Sequence, residues 1–435
     1  MTPPRVFAST LYADLRWGLR AFSSRNYRLY FLGQSFSVIG LWMSFVATMW
    51  VVYDLTHSSL LLGLVGFVTR IPAFCLTPFV GVWVDRCSRY QLVWATQLLR
   101  MLLALVLAVL VLTGQITVPL LLLISLLQGL IVAVDIPSRH TLLVELVNDS
   151  EHLSSAIALN SSMFSAARLI GPALAGLFIA HLGAGICYLL DCLSYLALLG
   201  AMAAIQLTPL PRLPSQKTPW QDFLAGLQYA SGSLPMRAVF IGLGLSSFMG
   251  MPYLTLAPIM AHDVLGGGPE TLGWLMSASG SGALLAAFYL ATRRQVAGLG
   301  AVMAWSQGLL GLCLLSFAYS QILWLSLLST AGIGATLILQ TAACNTWLQT
   351  YVEEDKRGRI MSLYTMAFVG MIPFGTLWTG YLGEHWGAPA ALGLCGGFCL
   401  LGSGILVRLL PQLERKIPDL LASEGLGSYS NSQGT

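Results

Sequence analysis

The stretch 81-GVWVDRCSRY-90 is a short charged turn that separates two long apolar runs. About a dozen such runs fill the 435-residue chain, which is 56% hydrophobic and only 9% charged. The runs approach or exceed the roughly 20 residues that an α-helix needs to span hydrocarbon, and the alternating segments typical of a membrane barrel are not seen. In lipid the backbone must be hydrogen-bonded within each segment. We therefore predict an all-α membrane protein.

Basic residues occur in every second connection between the apolar runs. The turn with Arg86 and Arg89 is one of these connections, whereas those at His57 and His181 contain neither Lys nor Arg. Because short cytoplasmic loops collect Lys and Arg, both termini are predicted in the cytoplasm, with an even number of spans. Twelve spans fit, at about 29–54, 60–83, 91–112, 117–138, 153–180, 184–206, 236–258, 270–291, 297–317, 321–345, 358–382 and 388–410.

The twelve spans fall into two groups of six, on either side of a connection rich in proline, a residue that blocks a continuing helix. The predicted order is a cytoplasmic N-terminal segment (1–28), a six-helix bundle (29–206), a cytoplasmic linker (207–235), a second six-helix bundle (236–411) and a cytoplasmic tail (412–435).

Two further patterns concern this organisation. Apolar residues recur at helical spacing over residues 220–227 of the linker, which predicts an amphipathic helix that either lies on the membrane surface or packs on the transmembrane ends. A shift of about 204 residues superposes Gly171 on Gly375 and Gly176 on Gly380. The two bundles are therefore predicted to be parallel repeats, an arrangement that can expose one substrate site alternately to each side of the membrane.

The turn at 81–90 resembles the glycine, aspartate and arginine signature that the major facilitator superfamily carries between its second and third helices. The stretch 167-ARLIGPALAG-176 is similar to the glycine–proline signature of the exporter branch. A longer match resembles the subgroup that contains enterobactin-type siderophore exporters and macrolide-type efflux proteins; it includes 25-RNYR-28, 135-DIPSR-139, 145-ELV-147, 156-AIALNS-161 and 357-RGRIMSLY-364. The resemblance implies the twelve-helix major facilitator fold and export from the cytoplasm driven by the proton gradient.

Several residues are expected to act in the conformational cycle. In the superfamily the aspartate of the charged turn meets the start of a helix in the opposite half, here near Gly358, and acts as a latch. The glycine–proline stretch is either a hinge or a plain packing face. An aspartate and an arginine four residues apart in the fourth span can form a structural or gating ion pair. The predicted gating residues are Gly81, Asp85, Arg86, Arg89, Asp135, Arg139, Gly171, Pro172 and Gly176.

Ionisable side chains at membrane depth are costly, so they are expected to be functional or paired. Arg70 and Arg168 are predicted to contact an anion through the two-point fork of the guanidinium group, unless helix carbonyls or Asp135 satisfy them. Arg100 and Asp191 are expected to pair with each other, or Arg100 to snorkel. A proton-coupling carboxylate must come from the first half of the chain. The predicted substrate-binding residues are Gln34, Arg70, Asn160, Arg168, Gln340 and Asn345.

The sequence favours a secondary transporter that exports a small amphipathic compound, neutral or anionic, such as a siderophore or drug, with proton coupling. A lipid or lysophospholipid flippase, an importer and a non-transporting membrane sensor stay open as alternatives. The sequence contains no catalytic cluster and no GxxxxGK[ST] phosphate loop, so we predict no enzyme activity, cofactor or metal. The expected partners are a small-molecule substrate, protons and membrane lipids, without nucleic acid, for a monomer in the inner membrane.

Overall fold

The computed structural model describes residues 20–147, 150–206, 219–292 and 298–423, with the backbone alone at 77–79, 81–83, 85–86, 150–151, 219–225, 291 and 410–423. Twelve helices in this part of the chain are long and apolar enough to cross a membrane, which confirms the predicted number. With one shorter helix in the linker, they are α1 (Arg25–Thr56), α2 (Ser59–Arg86), α3 (Arg89–Leu112), α4 (Val118–Leu146), α5 (Ser150–Leu182), α6 (Ala184–Ala203), α7 (Pro219–Gly232), α8 (Leu234–Val264), α9 (Pro269–Thr292), α10 (Leu299–Tyr319), α11 (Leu323–Tyr351), α12 (Glu354–Trp386) and α13 (Ala388–Ser423). The chain is an integral membrane protein.

Local sequence sets where the membrane helices begin and end. Ser24 precedes α1, and its hydroxyl oxygen accepts a hydrogen bond from the backbone N–H of Tyr27 (3.4 Å), one of the groups that a helix start leaves unbonded. His57 ends α1 in the left-handed conformation, with φ of 49°. Gly183, with φ of 83°, allows a one-residue connection between α5 and α6. Short turns of this kind make consecutive helices antiparallel.

Pro137 lies inside α4 without ending it, so α4 continues to Leu146, well past the predicted end of this span. Proline has no N–H to donate to the preceding turn of the helix. Two nearby hydroxyl groups donate to backbone carbonyls one turn earlier in the helix: Ser138 Oγ to Val134 (2.7 Å) and Thr141 Oγ1 to Pro137 (3.0 Å). The helix therefore passes Pro137 with the loss of one backbone hydrogen bond, and both hydroxyl groups are bonded within it.

Two π-turns, Ser246–Gly250 and Met260–Val264, interrupt the regular winding of α8. Such turns are rare inside α-helices and are frequent at functional positions. In the first π-turn, the Ser246 hydroxyl donates to Gln307 Oε1 on α10 (2.5 Å), and the Gly242 carbonyl is a second acceptor within reach at 2.9 Å. This π-turn therefore connects α8 to α10 through a buried hydrogen bond.

The chain folds as two compact units. Unit 1 comprises Met1–His57, Val68–Gln216 and Gly267–Gly280, and unit 2 comprises Ser58–Phe67, Lys217–Gly266 and Ser281–Thr435. Each unit thus includes the first turns of one helix from the other half of the chain: α9 in unit 1 and α2 in unit 2. A buried cluster from α1, α3, α4 and α6 forms part of the core of unit 1, with Tyr30, Val93, Leu142, Leu146, Leu198 and Met202.

The linker helix α7 packs on the first turns of α12 within unit 2. A Cβ atom added to Gly226 would lie 3.2 Å from the Cβ of Arg359, so the two helices approach closely there. The Nζ atom of Lys356 lies 4.5 Å from the centroid of the Tyr229 ring, and the Tyr229 hydroxyl donates to Glu353 Oε1 (3.4 Å). Ala230 continues this contact into the buried core of the unit.

Candidate functional site

A buried ion cluster surrounds Asp135 on α4. Its side chain is fully buried, and Oδ2 receives Arg139 Nη2 at 2.7 Å and Arg100 Nη1 at 3.1 Å. The other oxygen, Oδ1, accepts hydrogen bonds from Thr96 Oγ1 (2.9 Å) and Gln97 Nε2 (2.6 Å), both on α3. The predicted pairing of Asp135 with Arg139 is therefore present in the structure. The same carboxylate also holds α3 against α4 through three α3 side chains.

Arg100 pairs differently from the expectation drawn from the sequence. Its ion-pair partner is Asp135, and its guanidinium carbon lies 5.7 Å from the centroid of the Tyr195 ring on α6. Asp191, the partner expected from the sequence, instead accepts a 2.6 Å hydrogen bond from Ser44 Oγ on α1. The expected ion pair with Asp191 is therefore replaced by one with Asp135, and Arg100 acts on Asp191 only at longer range.

The charged turn is described only in part. Gly81, Asp85 and Arg86 are helical in backbone, and their side chains lie outside the described residues, so the latch stays a prediction. Arg89, the fourth member, donates from Nη1 to Glu145 Oε1 at 2.7 Å and so connects the start of α3 to the end of α4. Both side chains are partly exposed, in contrast with the pairs at Asp135.

Glycines of the predicted gating stretch are positions of close helix approach. A Cβ atom on Gly171 would lie 2.5 Å from the Cβ of Trp42 on α1, and one on Gly176 would lie 2.7 Å from the Pro269 carbonyl oxygen on α9. Both glycines lie in α5, on either side of Pro172, whose own carbonyl oxygen would be 2.6 Å from a Cβ on Gly273 of α9. Only glycine permits these distances.

In unit 2, α12 makes a similar close contact with the start of α2. A Cβ atom on Gly380 of α12 would lie 2.7 Å from the Ser59 carbonyl oxygen and 2.8 Å from the Cα of Gly63, both on α2. Glu384, one turn further along α12, accepts hydrogen bonds at Oε2 from Ser58 Oγ (2.9 Å) and the Leu60 N–H (3.1 Å) at the start of α2. Gly176 and Gly380, which the predicted repeat superposes, therefore both lie where another helix of the same unit approaches closely.

Arg70 and Arg168 are the two predicted anion contacts, and both lie beside an aromatic pair on α1. The guanidinium carbon of Arg70 lies 5.9 Å from the centroid of the Phe45 ring, and that of Arg168 lies 5.9 Å from the Trp42 ring. The two rings are in edge contact, with centroids 5.8 Å apart. Both arginines are half-buried. Arg168 Nη2 also donates to Ser279 Oγ at 3.3 Å.

Neither arginine forms an ion pair with any side chain that the structure describes. A cation over an aromatic face gains about 0.5–2 kcal/mol, which is small beside the cost of holding an unpaired charge at membrane depth. An anionic group that forms two parallel hydrogen bonds to a guanidinium would compensate this charge. The arrangement is therefore suited to an anionic ligand.

The four predicted polar lining residues differ in their burial and in their hydrogen bonds. Gln34 is 1% exposed, with its Oε1 unbonded, and Asn160 is half-buried. Gln340 on α11 is also 1% exposed, and its Oε1 accepts a 2.7 Å hydrogen bond from Ser306 Oγ on α10. Asn345 lines an open pocket on α11, where its Oδ1 accepts a hydrogen bond from Gln349 Nε2 (2.5 Å).

The two units differ in the charge of corresponding buried contacts. Gln340 on α11 lies within one residue of the position that the predicted repeat pairs with Asp135 on α4, and each connects its helix to the preceding one. Unit 1 uses a carboxylate and two arginines at this position, and unit 2 uses neutral amide and hydroxyl groups. The ionic chemistry of the described spans is therefore concentrated in unit 1.

Sequence reasoning missed four contributors to these sites. Thr96 and Gln97 complete the hydrogen bonding of Asp135. Two adjacent polar residues inside an apolar run were the sequence pattern that could have predicted this role. Trp42 and Phe45 lie three residues apart on α1, a spacing that puts both rings on one helical face.

Among the described residues, no group of three or more His, Cys, Asp or Glu side chains could hold a metal ion.

Twelve membrane helices, close glycine contacts between helices, and two arginines without an ion-pair partner among the described side chains are features that a membrane transporter would have. The chain matches the sequence profile of the transmembrane secretion effector family over residues 18–426 and belongs to that family, within the major facilitator superfamily. The superfamily expected from the sequence motifs is thus confirmed, and family and fold are those of a transporter.

Two curated relatives cover nearly the whole chain. The staphyloferrin A transporter of Staphylococcus aureus (strain NCTC 8325 / PS 47) is 25% identical over 373 residues, which are 84% of this chain and 92% of the relative. An uncharacterized MFS-type transporter of Bacillus subtilis (strain 168), YfiS, is 26% identical over 410 residues, 89% of this chain and 92% of its own length. The first relative supports the siderophore-type subgroup.

Solved structures of low sequence identity share the fold. The peptide transporter POT has a TM-score of 0.70 at 12% identity, covering 90% of this chain and 95% of its own. The nucleoside transporter NupG has a TM-score of 0.68 at 15% identity, covering 88% and 99%. These similarities confirm the predicted all-α fold of twelve membrane helices.

Proposed function

We propose that this protein exports a small amphipathic anion, of the siderophore class, by alternating access driven by the proton gradient. The observation that carries the proposal is the pair Arg70 and Arg168, two cations inside membrane spans without a carboxylate partner among the described side chains. Trp42 and Phe45 beside them supply an apolar surface for the rest of an amphipathic molecule.

Transport would run from the cytoplasm outward across the inner membrane. The protein would lie in the inner membrane. Because basic residues occur in every second loop, both termini would face the cytoplasm. The exporter-type glycine–proline stretch includes Gly171 and Gly176, each at a close helix approach, which supports its use in gating. Inward movement of protons would supply the energy for outward movement of the anion, and the protein would act as a monomer.

Inside-out membrane vesicles from cells that produce the protein test this function. Staphyloferrin A, the compound named for the Staphylococcus aureus relative, is the first probe, and a lipophilic cation and lysophosphatidylcholine are the comparison probes. With the vesicle lumen acidified, we expect uptake of staphyloferrin A that is abolished when the pH gradient is collapsed. A guanidinium contact to a charged group contributes about 1.5–3 kcal/mol, so Arg70→Gln or Arg168→Gln should weaken apparent affinity about tenfold or more.

Arg237→Gln is the matched control, because Arg237 is exposed at the start of α8 and lies outside the aromatic pair. Its uptake should equal that of the wild type. Unchanged uptake by the Arg70→Gln/Arg168→Gln double variant would contradict the anion site. Uptake that ignores the pH gradient would contradict antiport, and preferential movement of lysophosphatidylcholine would instead support a flippase.

A further inference from the structure

We propose that Asp191 on α6 is the proton-binding residue of this transporter, an inference that rests on the proton coupling in the proposed function. Asp191 is 4% exposed, and its Oδ2 accepts one hydrogen bond, from Ser44 Oγ at 2.6 Å. Its Oδ1 is buried with no hydrogen-bond partner. A carboxylate here would hold a charge that one hydroxyl group compensates poorly, whereas the carboxylic acid is uncharged.

Asp135 provides the contrast within the same unit. Both carboxyl groups are buried, yet Asp135 is surrounded by four donors, two of them arginines. A proton on Asp135 would have to displace those donors and leave two guanidinium groups unpaired. Asp191 has a free oxygen where a proton can be added without breaking any contact. Asp135 therefore serves as a fixed anion, and Asp191 as the exchangeable one.

The groups around Asp191 come from three helices. On α1 the neighbours are Ser44 and Gly40, and a Cβ atom on Gly40 would lie 2.8 Å from Asp191 Oδ1. On α3, Arg100 acts on Asp191 electrostatically; it also lies against the Tyr195 ring and pairs with Asp135 of α4, which binds Arg139 as well. The titratable neighbours on α6 itself are Cys187, Tyr188, Cys192 and Tyr195.

Two further hydroxyl groups lie about one turn beyond Ser44, toward the C-terminal end of α1, the end that the predicted orientation places outside the cell. Thr48 Oγ1 shares a 3.0 Å hydrogen bond with the Tyr188 hydroxyl, in which either atom can donate, and it also reaches the Ser44 carbonyl (2.8 Å). Hydroxyl groups both donate and accept, so Thr48 and Tyr188 can exchange a proton with each other. Thr48 is half-buried, so this pair is partly accessible, and it lies one helical turn from the Ser44 hydroxyl that donates to Asp191.

Proton binding at Asp191 would be sensed by Arg100. A hydronium ion gives its proton to Oδ1: one O–H bond of hydronium breaks, the Oδ1–H bond forms, and a water molecule is released. With Asp191 neutral, Asp135 alone attracts Arg100; with Asp191 ionised, two carboxylates compete for it. The Arg100 contact to Asp135 (3.1 Å) is longer than that of Arg139 (2.7 Å), so it is the weaker of the two. The charge on Asp191 thus alters how α3 is held to α4.

Infrared spectroscopy of the purified full-length protein in lipid, with water as the only proton source and no cargo present, tests the proposal directly. We expect a carboxylic-acid C=O stretching band that loses intensity as the pH is raised. Asp191→Asn should remove this band. Asp54→Asn is the matched control, because Asp54 is exposed at the end of α1, and it should leave the band unchanged.

A second variant keeps the test decisive if Asp191→Asn fails to fold. Ser44→Ala deletes the hydroxyl that donates to Oδ2, so the band should move to higher frequency while it persists. An unchanged band in either variant overturns the proposal, as does a response to the pH gradient in Asp191→Asn vesicles equal to that of the wild type. Because the band reports proton binding without cargo, it does not depend on whether staphyloferrin A is the compound moved.

Discussion

Replacing Asp135 by asparagine should destabilise the protein far more than replacing Glu145 by glutamine. The asparagine side chain would keep an oxygen for Thr96 and Gln97, so those neutral hydrogen bonds survive, but Arg100 and Arg139 would lose their shared anion. Removing one partner of a buried ion pair costs about 3–5 kcal/mol, because a buried charge is left unpaired. This cost corresponds to a decrease of about a hundredfold or more in the ratio of folded to unfolded protein.

Glu145→Gln provides a control of the same chemistry and geometry. Its carboxylate also accepts an arginine at 2.7 Å, but the Arg89 and Glu145 side chains are 30% and 18% exposed, against 14% and 0% for Arg139 and Asp135. A partly exposed pair contributes about 0–1 kcal/mol. The free energy of unfolding should be measured by denaturant titration in lipid–detergent micelles, with tryptophan fluorescence as the signal. Equal losses for Asp135→Asn and Glu145→Gln would refute the role assigned to burial.

Two further predictions concern helix contacts. Gly176→Val should separate α5 from α9, because its Cβ would lie 2.7 Å from a backbone oxygen; overpacking of this kind costs about 1–3 kcal/mol, and amide exchange in the first turns of α9 should increase. Gly200→Ala, with no atom within 4 Å of the added Cβ, should leave that exchange unchanged, and equal effects of the two substitutions would count against the packing argument. At Glu353, the hydrogen bond from Lys356 lowers the carboxyl pKa below its ordinary value of 4.5, so the contact with α7 is complete above that value and is lost as the pH falls through the lowered pKa. Hydrogen exchange in α7 should therefore differ between wild type and Glu353→Gln at neutral pH and converge in acid, and a difference that persists in acid would contradict this assignment.

The twelve spans and the superfamily were predictable from the sequence because their signals are local. A helix that crosses lipid needs a long apolar run, and the pair Asp135 and Arg139 follows from a four-residue spacing within a single helix. The helix α4 runs to Leu146, beyond the predicted end of the span at 138, because the apolar run that marks a span ends before the helix does.

Partners on different helices were harder to predict. Arg100 was expected to pair with Asp191 and pairs with Asp135, while Glu145 was not expected to receive Arg89. Gln340, an expected lining residue, is buried against Ser306. In each case the deciding quantity is the rotation of one helix about its axis relative to its neighbour, and that rotation is set by packing over the whole length of the contact.

The sequence by itself determined that the chain crosses a membrane twelve times, how its charges are distributed between the two halves, and which motifs it carries. Only the tertiary structure decided that Asp135 has four donors while Asp191 has one, and that Arg70 and Arg168 lie beside a shared aromatic pair. The reason is physical: hydrophobicity and helical spacing act along the chain, whereas the compensation of a buried charge depends on which side chains other helices bring within a few ångströms.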